Sequence, residues 1–342
     1  MGAIVTVAVP LGLLAVAVFM PHVVSVVVTS VLVLWVLLAV VDVALGISQA
    51  SANRRTVVAT STHSRVALVT GASAGLGEQI AVLLAKKGYA LVLVARREER
   101  LQKLSQELKQ LTKGEIVYCL SDLASPNGVD TVVKFLEENK LEVDLLVNNA
   151  GASLRADLMG LTGDQVSRLV ELNVGAATKL TRALVPGMVQ RRRGGSVLMV
   201  SSIGSQFPNP YASIYCASKA YLTSFSQAVN YELVGTGVTV SAFQPGPMHT
   251  EFAKHAGLSD AMFMKSEGTS VEDCAKAAIA LMENTTESVA YDSMGTAVST
   301  FAMAKLLPRR LSIKLTALLM EDEDAFWSAL LGRGSSAAAK RD

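Results

Sequence analysis

Residues 66–77 read VALVTGASAGLG, an apolar run that passes directly into a glycine-rich turn. The run predicts a buried strand, and the helical periodicity that follows Gly75 predicts a helix. Glycine lets a backbone approach a pyrophosphate closely, and a helix N-terminus turns N–H groups and a positive dipole end toward it. The stretch therefore predicts the opening of a dinucleotide-binding fold, with a tight turn that binds no ligand as the alternative.

The chain from Arg65 onward repeats this alternation of short apolar run and helical period. Alternating strands and helices indicate parallel strands joined by crossover helices, and strands apolar on both faces indicate helices on both sides of the sheet. We expect one α/β domain with a Rossmann-type doubly wound parallel sheet and its ligand site at the carboxyl ends of the strands. The predicted strands are 66–70, 90–95, 115–120, 145–148, 196–200 and 238–243, and the predicted helices lie near 75–87, 98–112, 126–139, 163–190 and 213–234.

The first 53 residues differ sharply in composition from the rest. The whole chain is 51% hydrophobic, but 38 of these 53 residues are hydrophobic, and the charged residue among them is Asp42. Residues 3–20 and 23–41 are apolar stretches, and a helix that crosses a bilayer needs about 20 residues. We expect 1–53 to be an N-terminal transmembrane anchor, as one span or a hairpin. A cleaved signal peptide is the alternative, which the lack of Lys or Arg before the apolar run disfavours.

The remaining segments follow from charge and composition. Basic residues follow the anchor and none precedes it, so the positive-inside bias places the C-terminal portion in the cytosol. Residues 54–64 read as a linker, 65–320 as the catalytic domain and 321–342 as a tail. Within the domain, 297–320 is a basic amphipathic segment that can lie on an anionic membrane surface. The net charge of +2 gives no electrostatic case for nucleic acid, and the three scattered cysteines lack metal-ligand spacing, so no metal site is expected.

The end of the second predicted strand bears on cofactor choice. An acidic residue there would accept hydrogen bonds from the ribose 2′-hydroxyl of NAD, whereas Arg can pair with a 2′-phosphate. The sequence has Arg96 followed by Arg97, which favours NADPH/NADP+. A solvated start of a helix is the alternative interpretation of the two arginines.

A Tyr and a Lys stand four residues apart on the last predicted helix. Tyr215 and Lys219 therefore share one helix face, and Ser202 lies thirteen residues upstream, just past the fifth strand. A nearby ammonium favours the phenolate, so we expect Lys219 to lower the Tyr215 pKa toward the working range. Ser202 is placed to hold a substrate oxygen beside Tyr215.

Taken together, these motifs resemble the short-chain dehydrogenase/reductase superfamily over roughly 65–310. The segments that carry the resemblance are TGASAGLG at 70–77, NNAG at 148–151, LNVG around Asn173, SS at 201–202, YCASK at 215–219 and PGPMHT at 245–250. Within that superfamily the chain is similar to membrane-anchored 3-oxoacyl-CoA reductases, to 17-beta-hydroxysteroid dehydrogenases and, more distantly, to 3-ketosphinganine reductases.

The resemblance implies a role for each matching position. Tyr215 would be the general acid, Lys219 would hold the nicotinamide ribose, and Ser202 would orient the carbonyl. Asn173 would support a water that relays protons from Lys219. The cofactor-binding positions so implied are Gly71, Ser73, Gly75, Leu76, Gly77, Arg96, Asp122, Asn148, Gly151, Tyr215, Lys219, Pro245, Gly246 and Thr250.

The function that the resemblance implies is NADPH-dependent reduction of a ketone on a lipophilic substrate to a secondary alcohol, at the endoplasmic reticulum membrane. A 3-oxoacyl-CoA is favoured as substrate, with a 3-ketosphinganine, a 17-ketosteroid or a retinoid-type substrate as alternatives. Oxidation in the opposite direction and a catalytically silent nucleotide-binding scaffold are further alternatives, and a homodimer is expected of the family. Apolar residues between 251 and 270 are expected to form a substrate lid.

Overall fold

The computed structural model describes residues 65–266, 268–283 and 288–330, together with Val26, Thr29, Ser30, Val33 and Leu37. The chain divides into two compact units, Met1–Ser51 and Ala52–Asp342. The five described residues of the first unit are helical and exposed. Within the described part of the chain, no helix combines the length and the apolar character needed to cross a bilayer. The rest of the predicted anchor, the linker at 54–64 and the tail from 331 lie outside the described residues.

The second unit is built on one seven-stranded parallel sheet, which confirms the predicted α/β architecture. The strand order is β3-β2-β1-β4-β5-β6-β7, so connections from β1 and β4 diverge at the centre of the sheet. The strands are β1 Val66–Thr70, β2 Ala90–Ala95, β3 Ile116–Leu120, β4 Val143–Asn148, β5 Gly195–Val200, β6 Val238–Gln244 and β7 Val289–Tyr291. An open sheet of this order binds its ligand at the central divergence, beyond the strands' carboxyl ends.

Helices cover both faces of the sheet. Numbered within this unit, they are α1 Gly75–Lys86, α2 Glu98–Leu108, α3 Gly128–Glu138, α4 Gly163–Val170, α5 Ala176–Arg191, α6 Ser213–Glu232, α7 Glu251–His255, α8 Val271–Glu283, α9 Met294–Phe301, α10 Arg309–Leu319 and α11 Glu323–Leu330. Alternate residues of β2 enter different cores: Leu91 and Leu93 pack with α1, α2 and α8, whereas Val92 packs with α3, α5 and α6. This alternation is why the strands are apolar on both faces.

Several features differ from the elements predicted from sequence, and helix α8 at Val271–Glu283 is one that was not predicted. The edge strand β7 was not predicted, because its three residues, Val289–Tyr291, are too few for a periodic signal. The predicted helix over 163–190 is divided into α4 and α5 by a π-helical turn at Glu171–Gly175. The apolar period runs on through this turn, so the sequence gives no sign of it, yet single π turns often mark functional sites.

A third, smaller core closes the molecule beside the C-terminal ends of the strands. Met320, at the end of α10, is buried with Cys216 of α6 and with Ala253 and Leu258 of the α7 region. Thr316 of α10 donates a hydrogen bond to the Pro208 carbonyl at 3.1 Å. The C-terminal segment is thereby attached to the domain directly over the carboxyl edge of the sheet.

Candidate active site

A cavity of about 750 Å³ lies at the carboxyl ends of the strands. Its walls come from the turns after β1 to β6, from α6 and from the segment after α9. This is the location that the strand order predicts for a ligand. Of the residues predicted to bind the cofactor, the cavity wall contains Gly71, Ser73, Gly75, Leu76, Arg96, Asp122, Gly151, Tyr215, Lys219, Pro245, Gly246 and Thr250.

The glycine-rich turn follows the predicted path. Gly71 and Gly75 have φ of +65° and +61°, a left-handed conformation that favours glycine. α1 begins at Gly75 and directs its free N–H groups toward the turn, as an anion site requires. Gly77 does not line the cavity: a Cβ there would lie 2.4 Å from Asn149 Nδ2 and 2.6 Å from the Gly71 carbonyl oxygen. Gly77 lets α1 pack closely against the neighbouring loop, and its predicted contact with the cofactor stays a prediction.

Asn149, rather than the predicted Asn148, supports this turn. Asn149 Nδ2 donates hydrogen bonds to the carbonyl oxygens of Thr70 at 2.9 Å and Gly71 at 3.3 Å. Asn148 Nδ2 instead donates to Thr181 Oγ1 at 3.1 Å and contacts Met199 Sδ, inside the opposite core. Successive residues at a strand end point to opposite faces, so a shift of one position exchanges their roles. The Asn148 side chain therefore stabilises the inside of the sheet at the end of β4, and its contact with the cofactor stays a prediction.

An arginine cluster lies at the edge of the cavity beyond β2. Arg97 donates from Nε and Nη2 to Ser73 Oγ, at 3.1 and 3.0 Å, and from Nη1 to Glu251 at 2.9 Å. Arg100 donates two hydrogen bonds to the same Glu251 carboxylate, at 2.7 and 3.0 Å. Hydrogen bonds from Arg100 and Arg97 lower the pKa of Glu251 to about 2. Arg96 is exposed and forms no hydrogen bond or ion pair with any other described residue.

Asp122 follows β3 at the same edge of the cavity. Its carboxylate accepts a hydrogen bond from the Ala124 backbone N–H at 3.1 Å and forms an ion pair with Arg168 at 2.7 Å. Partial burial opposes ionisation, but these two hydrogen bonds and the charge of Arg168 hold the Asp122 pKa below its ordinary value. Arg168, which also lines the cavity, was not identified from the sequence because its partner lies 46 residues away.

α6 brings Tyr215 and Lys219 together on its buried face. The Lys219 ammonium lies 5.5 Å from the centroid of the Tyr215 ring and donates a hydrogen bond to the Val200 carbonyl at 2.6 Å. Burial lowers the Lys219 pKa to about 8. Burial also raises the Tyr215 pKa, although the hydrogen bond with Ser202 acts in the opposite direction. The predicted lowering of the Tyr215 pKa is therefore wrong for this structure, because the cost of desolvating a phenolate outweighs the neighbouring charge.

Ser202 reaches Tyr215 from the turn after β5. It precedes a short 3₁₀ turn at Ile203–Ser205, and its Oγ accepts the Gly204 backbone N–H at 3.1 Å. The adjacent Ser201 has a different role, since its Oγ donates to the Lys219 backbone carbonyl at 2.9 Å and lies 2.7 Å from Thr223 Oγ1. Both serines line the cavity, and Ser202 is the one whose hydroxyl lowers the Tyr215 pKa, against the effect of burial.

Asn173 lies in the π-helical turn, almost fully buried. Its Oδ1 accepts the Ala152 backbone N–H, and its Nδ2 donates to the Ala152 carbonyl, both at 2.9 Å. Nδ2 also donates to Ser218 Oγ of α6 at 3.1 Å. A Cβ placed on Gly151 would lie 3.3 Å from Asn173 Oδ1 and 3.4 Å from Lys219 Nζ, so Asn173 and Lys219 face the same small space. The structure thus brings together all four predicted catalytic residues.

The far half of the cavity is apolar. Phe252 of α7 packs on the Tyr215 ring, with ring centroids 5.6 Å apart. Leu319 is the last residue of α10 and Met320 follows it, and the sequence did not assign them to the cavity because nothing local marks which face of α10 turns inward. The apolar wall consists of Phe207, Phe252, Leu258, Phe263, Met264, Met303, Leu319 and Met320.

A parallel doubly wound sheet, a glycine-rich turn and a buried Ser–Tyr–Lys cluster in one cavity define a nicotinamide-nucleotide oxidoreductase. The family model described as short chain dehydrogenase matches residues 65–261, and the chain belongs to that family. The cavity wall extends past the matched region, since Met264 and the α10 residues lie beyond it.

Individual proteins that are similar to this chain support the same family assignment. The chain is 31% identical over 219 residues to sulfoacetaldehyde reductase 2 of Chromohalobacter salexigens, covering 62% of this chain and 86% of that protein. Among solved structures it is similar to a short-chain dehydrogenase from Sphingobium yanoikuyae in complex with NADPH, with a TM-score of 0.63 and 30% identity over 70% of this chain and 92% of that one. It is also similar to a bulky-bulky ketone specific alcohol dehydrogenase from Comamonas testosteroni, with a TM-score of 0.61 and 28% identity over 70% and 90% of the two chains.

Proposed function

We propose that the protein uses NADPH to reduce a ketone on a lipophilic substrate to the secondary alcohol. The observation that carries this proposal is the composition of a single cavity. Ser202, Tyr215 and Lys219 line this cavity together with the glycine-rich turn, and eight apolar side chains line it as well, of which Phe252, Leu258, Phe263, Met264 and Met320 pack in one cluster with Tyr215. Such a wall suits an alkyl chain or a fused ring system, which gains free energy by leaving water.

The residues beyond β2 support NADPH rather than NADH. No acidic side chain stands at the end of β2, where a carboxylate would accept hydrogen bonds from the hydroxyls of the NAD ribose. Arg96 instead exposes an unpaired guanidinium at the cavity, and Arg97 lies against Ser73 of the glycine-rich turn. Guanidinium groups bind phosphate oxygens through charge-assisted hydrogen bonds. The solved relative from Sphingobium yanoikuyae also carries NADPH.

The donor set suits proton delivery to a carbonyl oxygen. When bound, the nicotinamide supplies the hydride. Ser202 would donate a hydrogen bond to the substrate oxygen and Tyr215 would donate its proton to the same oxygen, so that the alkoxide never forms unprotected. The raised Tyr215 pKa keeps this phenol protonated at neutral pH. Lys219 and Asn173 would position the ribose and return a proton to Tyr215 from solvent.

The N-terminal composition supports a substrate that resides in a membrane. We infer that residues 1–53 anchor the protein in an endoplasmic reticulum-type membrane, with the catalytic unit on the cytosolic side. A 3-oxoacyl-CoA is the favoured substrate; a 3-ketosphinganine, a 17-ketosteroid and a retinoid are alternatives with the same demand for an apolar wall. The similar protein from Comamonas testosteroni is described as a bulky-bulky ketone specific alcohol dehydrogenase, which supports a ketone substrate. A homodimer, common in the family, is part of this proposal.

The test is a comparison of substrates with the full chain in detergent or nanodiscs. NADPH oxidation would be followed with a long-chain 3-oxoacyl-CoA, 3-ketosphinganine and a 17-ketosteroid, and in parallel with sulfoacetaldehyde and L-sorbose. We expect kcat/KM for at least one lipophilic ketone to exceed that for both polar carbonyls by at least 100-fold, and NADPH to be preferred over NADH. Turnover of the polar carbonyls alone, or of no carbonyl, would refute the proposal.

A further inference from the structure

Large apolar side chains are exposed along the segment that follows β7. Met294, Val298 and Phe301 lie on one face of α9, at helical spacings of four and three residues. Leu306 and Leu311 continue the series beyond the helix. All five are between 47% and 79% exposed. Single exposed apolar residues are ordinary on a protein surface, but five within 18 residues indicate an interaction surface for a membrane or another molecule.

The charges in this segment are of one sign. Residues 294–320 contain Lys305, Arg309, Arg310 and Lys314 and no Asp or Glu. All four cations are exposed, and none forms an ion pair with another described residue. The apolar residues are therefore flanked by cations available to an external anion.

The same segment also forms part of the active-site cavity. Met303 lies between the exposed Phe301 and Leu306, and its side chain lines the cavity together with Leu319 and Met320. The segment thus has an inner side that contacts the cavity and an outer side that faces solvent. We call the outer side, formed by Met294, Val298, Phe301, Leu306, Leu311 and the four cations, the outer face.

We propose that the outer face docks on an anionic lipid surface and that lipophilic substrates reach the cavity from that surface. Apolar side chains bordered by Lys and Arg are the pattern by which interfacial segments insert between acyl chains and pair with anionic headgroups. A second copy of the chain is a poorer occupant, because a symmetric pairing would bring the four cations against four identical cations. Substrate entry from the bilayer rests on the proposed function, whereas docking itself does not.

The experiment compares two lipids with the full chain, so that any N-terminal anchoring is common to both samples. The protein would be placed in nanodiscs of phosphatidylcholine alone or of phosphatidylcholine with 30% phosphatidylserine. Amide hydrogen exchange would then be measured in peptides that cover 294–314. We expect exchange there to be at least threefold slower with phosphatidylserine, and that difference to be lost in the double variant Arg309→Glu/Arg310→Glu. The matched control is Lys109→Glu/Lys113→Glu, exposed lysines near the end of α2, which should keep the difference.

Equal exchange in the two lipids, or loss of the difference in the control as well, would overturn the docking proposal. A second variant, Val298→Ser/Phe301→Ser, tests the apolar half of the outer face and should raise exchange in the discs that contain phosphatidylserine; unchanged exchange there would also contradict the docking proposal. Unchanged thermal unfolding of each variant confirms that the fold is intact. Docking without turnover of any lipophilic ketone would refute the proposed function alone, and turnover without docking would refute this inference alone.

Discussion

The two halves of the cavity are built in different ways. The half that faces the glycine-rich turn is defined by backbone conformation, at Gly71 and Gly75, and by polar side chains tied to that backbone, such as Asn149. The half beyond Tyr215 is defined by side-chain bulk from segments far apart in the chain, among them Phe207 and Leu319. A backbone-defined site binds one shape, whereas a wall of packed apolar side chains changes its specificity with each substitution. The family likeness therefore identifies the cofactor half and the reaction, and the individual substrate is decided in the other half.

The two halves meet at Tyr215, and its removal should produce the largest effect. Tyr215→Phe removes the proton donor while keeping the ring that packs on Phe252. Because a positioned general acid contributes about 10²–10⁴-fold, we expect kcat to fall about 1000-fold with little change in NADPH affinity. Steady-state kinetics and fluorescence titration of NADPH measure the two quantities. Tyr231→Phe, an exposed tyrosine on the same helix, is the matched control and should be fully active.

The cofactor half is tested at Arg96. Arg96→Asp replaces the guanidinium with a carboxylate that repels a 2′-phosphate and accepts hydrogen bonds from ribose hydroxyls. A lost charge-assisted contact and a new repulsion together should raise the KM for NADPH about 100-fold and lower that for NADH. The KM for the carbonyl substrate should stay within twofold of the wild-type value. If the ratio of the KM for NADPH to the KM for NADH did not change, the 2′-phosphate would be bound by other residues. Lys109→Asp is the control substitution at an exposed position and should leave both KM values unchanged.

The substrate half is tested at Leu319. Leu319→Ala removes apolar surface from the cavity wall, and we expect the KM for a lipophilic ketone to rise about tenfold while the KM for NADPH is unchanged. The neighbouring Leu318 does not line the cavity, so Leu318→Ala should leave both constants unchanged. Equal effects of the two variants would mean that the wall does not contact the substrate.

The pH dependence of kcat/KM depends on the protonation of Lys219 and Tyr215, which lie where the two halves of the cavity meet. Lys219 is charged below its pKa of about 8 and neutral above it. Burial raises the pKa of Tyr215, and that of Cys216 to about 12, so both of these neighbours stay protonated through this range. The reductive kcat/KM should therefore be constant below pH 7 and fall as pH rises through about 8. A profile that rises with pH in this window would contradict the protonated Tyr–Lys arrangement.

The smallest change in KM is expected for substitution of Glu251, whose exposed carboxylate joins the two halves of the cavity through ion pairs. Glu251 is the first residue of α7 and accepts hydrogen bonds from Arg97 and Arg100, which lie beyond β2. Exposed ion pairs contribute little and are screened by salt. Glu251→Gln should thus change the KM for NADPH and for substrate by no more than about threefold, and the change should vanish at 1 M salt. A change larger than tenfold would mean that the pair controls lid closure.

The same contrast explains what could be predicted from the sequence. Thr70–Gly77 and the Tyr215–Lys219 pair could be recognised because strand, turn and helix signals are local and their spacing carries chemistry. The support that Asn149 gives the glycine-rich turn could not be predicted, because one position at a strand end decides which face a side chain occupies. The direction of the Tyr215 pKa depends on burial, which the Tyr–Lys spacing does not reveal. Met320 reaches the cavity through tertiary packing of α10, for which the sequence holds no local signal.

The central claim is that the apolar half of the cavity selects the substrate. Its most direct test is kcat/KM for NADPH-dependent reduction of 3-oxoacyl thioesters whose acyl chains lengthen from four carbons to sixteen. Each methylene that enters the apolar wall should add about 0.8 kcal/mol to binding, so kcat/KM should rise several-fold per methylene until the wall is filled. A flat profile, or a maximum at the shortest chain, would contradict the account.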